Sequence, residues 1–209
     1  MVLLPLMLQT LFGYSSMEAG KAMAPRGVGS LIMMPLVGML TSKVDPRKLL
    51  MAGLCVGGLT MIWLGQINLN AGYNDIAIPQ FLQGTGMALL FVPLTTVAMA
   101  TIEPQRMGYA TSLFNLMRNI GGGVGIAMTG TYLARHRQEV GATLGENISI
   151  YDPQTQGMLA QLTQGMIAAG ADAATATQRA YVMMHGLLLR QASMVSFVEV
   201  YRLLGALFL

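Results

Sequence analysis

The chain has 209 residues, of which 10% are charged and 54% hydrophobic, and its formal net charge is +3. Soluble globular domains carry roughly 25% charged residues, so an ordinary water-facing domain is excluded, and a small, scattered positive charge offers no patch for nucleic acid. The single cysteine, Cys55, rules out an intrachain disulfide and a cysteine metal site.

The scarce charges are unevenly placed. Residues 49–74 and 76–102 contain no Asp, Glu, Lys or Arg, and residues 107–134 contain only Arg118. Each stretch exceeds the roughly 20 residues that a helix needs to cross the hydrocarbon core of a bilayer. The expected fold class is therefore all-α, a polytopic transmembrane helical bundle in contact with a lipid bilayer.

In chain order the pattern gives a partial first span over residues 1–13, a turn at 14–20, and a second span over about 19–41. A polar turn at 42–48 follows, with Pro46 suited to a turn. The third span covers about 49–67, a polar loop 68–75, the fourth span about 76–101, a turn 103–106, and the fifth span about 108–133. Residues 1–133 thus hold five membrane helices, residues 134–191 a long and mostly polar helical loop, and residues 192–209 the start of a last span. Both ends lie within apolar sequence, so a piece of a longer membrane protein is expected, with Met1 an internal methionine. The N-terminal apolar run has neither the basic n-region nor the cleavage site of a signal peptide.

Alternate turns share a side of the membrane. Lys43, Arg47, Lys48 and Arg106 fall on one side, against Lys21 in the opposite short turns. The positive-inside rule makes the first side cytoplasmic and leaves the 134–191 loop outside. Tyr14, Trp63, Tyr73 and Tyr132 then fall near the outer ends, as an interfacial aromatic belt would. Within the outer loop, Met158, Leu159, Leu162, Met166 and Ile167 recur at helical spacing. This reads as a helical hairpin resting on the outer face of the membrane, or as a docking surface for a periplasmic partner.

Arg118 is the leading functional candidate. It lies about 15 Å along its helix at 1.5 Å per residue. A central arginine costs about 2.5–3.5 kcal/mol on insertion scales and usually faces a bundle interior or a wet cavity; the alternative is snorkelling toward the cytoplasm. Gly121, Gly122 and Gly125 follow, a small-residue run suited to close helix packing or a bend. Arg26 and Glu199 sit at matched depth on helices entering from outside and form a possible ion pair, each lowering the other's desolvation cost. Gln9, Gln80, Gln83 and Asn115 are polar groups at membrane depth, available for interhelical hydrogen bonds or for lining a substrate pathway. Pro5, Pro35 and Pro93 lie inside spans and are expected to kink them. The 19 methionines could line an adaptable pocket or simply fill the core. His136 and His185 lack ligand spacing, and no nucleophile–base or metal constellation exists, so neither an enzyme nor a cofactor is expected.

Several stretches together resemble one family. Leu4-Pro5-Leu6-Met7-Leu8-Gln9 with Gly13-Tyr14 and Ala19-Gly20 is similar to the start of the C-terminal half of EmrB/QacA-type transporters, the fourteen-span drug:proton antiporters of the major facilitator superfamily. Gly38-Met39-Leu40 with Val44-Asp45-Pro46-Arg47 resembles the cytoplasmic-loop signature of that half. Gln83-Gly84-Thr85-Gly86, Phe91-Val92-Pro93, the run from Gly108-Tyr109-Ala110-Thr111-Ser112 through Arg118-Asn119 to Gly125, and Arg190-Gln191-Ala192-Ser193 resemble its later part. The resemblance spans essentially the whole chain. It implies the major facilitator C-terminal six-helix half, truncated at both ends, of an inner-membrane exporter that moves small-molecule drugs against protons. It also implies a missing N-terminal half that carries the proton-coupling acids, and in many members a periplasmic adaptor and an outer-membrane channel. The substrate pathway would then include Arg118, Asn115, Gln83 and Gln9, with Gly38, Asp45 and Arg47 in a cytoplasmic gating loop. An exporter of one metabolite or lipid, and a truncated remnant that transports nothing, are the alternatives.

Overall fold

The computed structural model describes residues 3–147, 153–170 and 172–209. Among them are seven α-helices, α1 (Leu3–Leu11), α2 (Ser16–Thr41), α3 (Pro46–Leu64), α4 (Tyr73–Met99), α5 (Met107–Asn147), α6 (Pro153–Ala168) and α7 (Ala173–Phe208), with a short 3-10 turn at Pro104–Arg106. Residues 148–152 and 171 of the expected outer loop, and Met1, lie outside the described residues.

The helix boundaries follow local chemistry. α2 starts earlier than its apolar pattern, because Ser15 and Glu18 form a capping box. The Ser15 hydroxyl accepts from the Glu18 N–H at 3.3 Å and the Glu18 carboxylate accepts from the Ser15 N–H at 2.8 Å. The expected turn at 14–20 therefore shrinks to the few residues around Gly13, whose φ of 70° lets the chain reverse out of α1. α3 begins at Pro46, ahead of the apolar stretch, with Asp45 as N-cap accepting from the Arg47 N–H at 3.2 Å. α4 opens where the Asp75 carboxylate accepts from the Gly72 N–H at 2.8 Å. Pro25 and Pro35 lie within α2, and Pro79 and Pro93 within α4; both helices continue through them.

Three helices, α2, α3 and α4, are long and apolar enough to cross a membrane. At most 33% of the residues in their apolar windows are buried within the chain. Leu31, Ile32, Met39, Met51 and Leu59 stand exposed. Holding such side chains in water would forgo about 25 cal/mol for each Å² of apolar surface, so hydrocarbon is their natural surroundings. α1, with nine residues, falls short of the roughly 20 that spanning takes. α5 is long, but Arg118, Asn115, Asn119 and its glycines dilute its apolar character.

The chain divides into two compact units, Met1–Thr131 with Phe197–Leu209, and Tyr132–Ser196. In the first, α2 and α4 share the most extensive interface, followed by α3 and α4. Val37, Leu49, Ala88 and Leu89 form a buried cluster where these three helices meet, with Met33, Val44 and Val92 packed around it.

The second unit holds the end of α5, all of α6 and most of α7. Leu159, Leu162 and Met166 of α6 are half-buried while Met158 and Ile167 are exposed, so the amphipathic spacing is present with only part of its apolar side covered. Gly170, at φ 95°, closes the turn after α6. Asp172 caps α7 by accepting from the Thr175 N–H at 3.2 Å, and its hydrogen bonds to Thr175 hold its carboxyl below the usual range.

Candidate functional site

Backbone-to-backbone contact at glycine builds the first unit and positions its polar groups. A methyl group placed on Gly84 of α4 would overlap the Arg26 carbonyl oxygen of α2, and one on Gly29 of α2 would overlap the Phe81 carbonyl oxygen of α4. On the other side of α4, a methyl on Gly53 of α3 would sit 3.1 Å from the Gly86 carbonyl oxygen. α3 and α7 meet in the same manner, since methyls on Gly58 and Gly205 would stand 3.0 and 2.9 Å from each other's carbonyl oxygens. Arg202 adds a bond here, its Nε donating to the Gly65 carbonyl at 3.1 Å. The glycines singled out from the sequence take no part in these contacts. Methyls on Gly121, Gly122 and Gly125 would meet nothing within 4 Å, and α5 runs unbroken through them. Within the described residues these glycines neither pack a neighbour nor end the helix, because no other element approaches them.

The helices held by these contacts enclose a cavity of about 630 Å³, inside the range of small-molecule sites. Its wall is overwhelmingly apolar, formed by Leu50, Leu54 and Met61 of α3, Met87, Leu90, Phe91 and Leu94 of α4, and Leu204 and Phe208 of α7, among others. Four polar side chains reach it: Arg26, Gln80, Gln83 and Tyr201.

Two of these four, Gln80 and Tyr201, each keep one buried polar atom without a protein partner. Gln80 is 1% and Tyr201 3% exposed, yet neither the Gln80 Oε1 nor the Tyr201 hydroxyl has a hydrogen-bond partner. Such groups normally find one, since an orphan buried polar atom costs about 1–3 kcal/mol. Gln80 Nε2 donates to Gln83 Oε1 at 3.2 Å, and Gln83 Nε2 donates to the Met61 sulfur at 3.5 Å. Arg26 Nη2 donates to the Met87 sulfur at 2.9 Å. A thioether is a weak acceptor, so the two bonds to methionine sulfur are weak ones. Met61 and Met87 are the methionines that line this cavity.

The structure brings together only some of the expected site residues. Gln83 lines the cavity and is buried; Arg26 lines it and is half-buried. Pro93 is buried in α4. Gln9 and Asn115 are exposed and line no part of the cavity, Gln9 because α1 turns Leu4, Met7, Leu8 and Leu11 inward instead. Arg118 is also exposed, with its guanidinium 5.8 Å from the ring centre of Phe91, a cavity-wall residue. Glu199 is exposed, two positions before Tyr201 on α7. Tyr201 went unnoticed in the sequence reading, although a tyrosine inside an apolar span was the available signal. Gly38 is exposed and meets no neighbour, while Asp45 and Arg47 share the cap of α3.

That cap gives a direct check on the expected gating loop. Asp45→Ala should cost about 1 kcal/mol, a typical N-cap loss, read as a lower melting temperature in detergent. Asp45→Asn keeps the acceptor and should restore it. If Asp45→Asn restores stability and export together, a charge-dependent gate at this residue is ruled out.

Residues 1–136 match the Major Facilitator Superfamily. The chain is 34% identical over 165 residues to the multidrug export protein EmrB of Haemophilus influenzae, covering 78% of this chain and 32% of that protein. It is 33% identical over 162 residues to EmrB of Escherichia coli K12, covering 77% and 32%. It is 34% identical over 170 residues to the fatty acid resistance protein FarB of Neisseria gonorrhoeae, covering 81% and 34%. The chain spans about a third of the length of these relatives. It therefore belongs to the major facilitator superfamily, with three helices long and apolar enough to cross a membrane, and is homologous to the EmrB/QacA-type multidrug transporters.

Proposed function

We propose that this chain is the C-terminal half of a proton-driven efflux transporter that exports varied amphipathic compounds by alternating access. The observation that carries the reading is the cavity between α2, α3, α4 and α7, apolar over most of its wall and polar at Arg26, Gln80, Gln83 and Tyr201. Such a surface binds amphipathic molecules through buried area and orients them by a few polar groups. Similarity to proteins named for multidrug export supports the same substrate breadth. In this reading α1, α5 and α7 complete the set of spans with α2, α3 and α4. The basic turns face the cytoplasm, and the loop of residues 134–191 lies outside. The partner half supplies proton coupling, and a periplasmic adaptor with an outer-membrane channel completes the route outward.

Similarity to a fatty acid resistance protein favours a second reading within the class, a narrower exporter of lipid-like compounds. Drug susceptibility of cells expressing the full-length gene tests both. Broad resistance to unrelated amphiphiles, abolished by a proton uncoupler, is expected. Resistance confined to one lipid-like class would select the narrower exporter, and resistance that survives the uncoupler would remove proton drive.

A further inference from the structure

We propose that the turn joining α2 to α3 is a binding surface for anionic phospholipid, with Lys43, Arg47 and Lys48 meeting the phosphate headgroups. The proposal does not depend on the transport reading. It rests on α2 and α3 having the length and apolar character of membrane spans. Residues 42–48 carry three cations against one carboxylate, Asp45, a net charge of +2. All three cations are exposed, and among the described residues their side chains have neither an ion pair nor a hydrogen bond. The turn that holds Glu103 and Arg106 neutralises itself instead, with those two side chains 3.6 Å apart.

The placement of these cations runs against local helix chemistry. Arg47 and Lys48 stand in the first turn of α3, which contains no acid, although the positive end of a helix dipole favours anions. A sequence breaks such a rule where something else compensates, and an external anion would do so. The backbone is not its site, because the Arg47 N–H donates to the Asp45 carboxylate at 3.2 Å and the Lys48 N–H to the Asp45 carbonyl at 3.0 Å. Recognition falls to the three side chains.

The neighbours specify a lipid. Met39 and Leu40 near the end of α2 and Met51 in α3 are exposed. Met51 follows Lys48 by three residues, about 4.5 Å of helix rise. An occupant therefore meets cations and hydrocarbon within one helical turn. A phospholipid of net negative charge supplies both complements, phosphate for the cations and acyl chains for the apolar side chains. A soluble anion would leave Met39 and Met51 uncovered. A zwitterionic headgroup brings a cation of its own, which the lysines and arginine repel. In the orientation proposed above, this surface meets the cytoplasmic leaflet.

Native mass spectrometry of the full-length transporter in detergent, offered equimolar phosphatidylglycerol and phosphatidylcholine of identical chains, tests the surface. Each lysine or arginine near an anionic membrane surface contributes about fivefold in affinity. Lys43→Gln is expected to lower the bound ratio of phosphatidylglycerol to phosphatidylcholine about threefold to fivefold. Lys43→Gln, Arg47→Gln and Lys48→Gln together should lower it about tenfold or more, and Arg106→Gln should leave it unchanged. Asp45→Asn keeps the N-cap acceptor while removing the opposing charge. It should raise the ratio about threefold to fivefold, a gain that a merely structural role of the turn would not produce. Lys43→Gln keeps the two cations of α3, so it remains readable if the triple variant fails to insert. A ratio unmoved by Lys43→Gln, the triple variant and Asp45→Asn would overturn the proposal, and so would an equal fall in Arg106→Gln, which would trace the effect to net charge. Loss of the phosphatidylglycerol preference in millimolar inorganic phosphate at constant ionic strength would overturn it too, by making the turn a site for free anions.

Discussion

Gly84→Val is expected to remove most folded protein from the membrane. A methyl at this position already overlaps the Arg26 carbonyl oxygen and stands 2.9 Å from the Arg26 carbonyl carbon and 3.0 Å from the Ser30 nitrogen. All three are backbone atoms of α2, so no side-chain rotation relieves them and α2 itself would have to move away. Overpacking in a well-filled core costs about 1–3 kcal/mol even where side chains can adjust. Here the contact belongs to the most extensive helix interface among the described residues and involves Arg26, a cavity-lining residue. Gly27→Ala, on the facing helix α2, is the comparison, because a methyl there meets nothing within 4 Å. Quantifying both variants in membranes, and their melting in detergent, should show Gly27→Ala at wild-type levels and Gly84→Val depleted. A heat-stable, abundant Gly84→Val protein would refute the contact.

Arg118→Ala is expected to abolish export while leaving the amount of protein in the membrane unchanged. Its stacking on Phe91 contributes only about 0.5–2 kcal/mol in general, and deleting a membrane-depth charge removes an insertion cost of about 2.5–3.5 kcal/mol. Loss of folding is therefore not the expected outcome. What the substitution removes is a cation beside the ring of a cavity-wall residue. Arg118→Lys keeps the charge without the planar guanidinium and should retain part of the export, whereas full export by Arg118→Ala would show that the residue has no role. Efflux of a fluorescent amphiphile from energised cells, normalised to membrane protein, measures all three.

The contrast between these two positions shows what kind of information local sequence carries. Helix existence was legible, because an uncharged run longer than the hydrocarbon core has few alternatives. α2, α3 and α4 follow from it, with boundaries displaced a few residues by Ser15–Glu18 and Asp45–Pro46 caps. The continuation of α5 beyond residue 133 to Asn147 was not visible, since polar residues there mimic the end of a span. The run Gly121–Gly125 stands out in sequence, yet methyls on its glycines would meet nothing within 4 Å among the described residues, while Gly29, Gly84, Gly58 and Gly205 are scattered singly and carry the contacts. A glycine permits close approach; it does not name the helix that approaches.

The same distinction runs through the cavity. Composition and the spacing of charges determined by themselves that the chain is helical and lives in lipid, because those properties follow from the solvent each residue must face. Which polar side chains converge was decided only by tertiary packing. Arg26, Gln80 and Tyr201 come from α2, α4 and α7, and Tyr201 lies 121 residues beyond Gln80 in the chain. Their meeting depends on backbone contacts at Gly84 with Arg26 and at Gly58 with Gly205. Packing between segments so distant leaves no periodicity in either segment, so only the assembled bundle shows that these polar groups share one space.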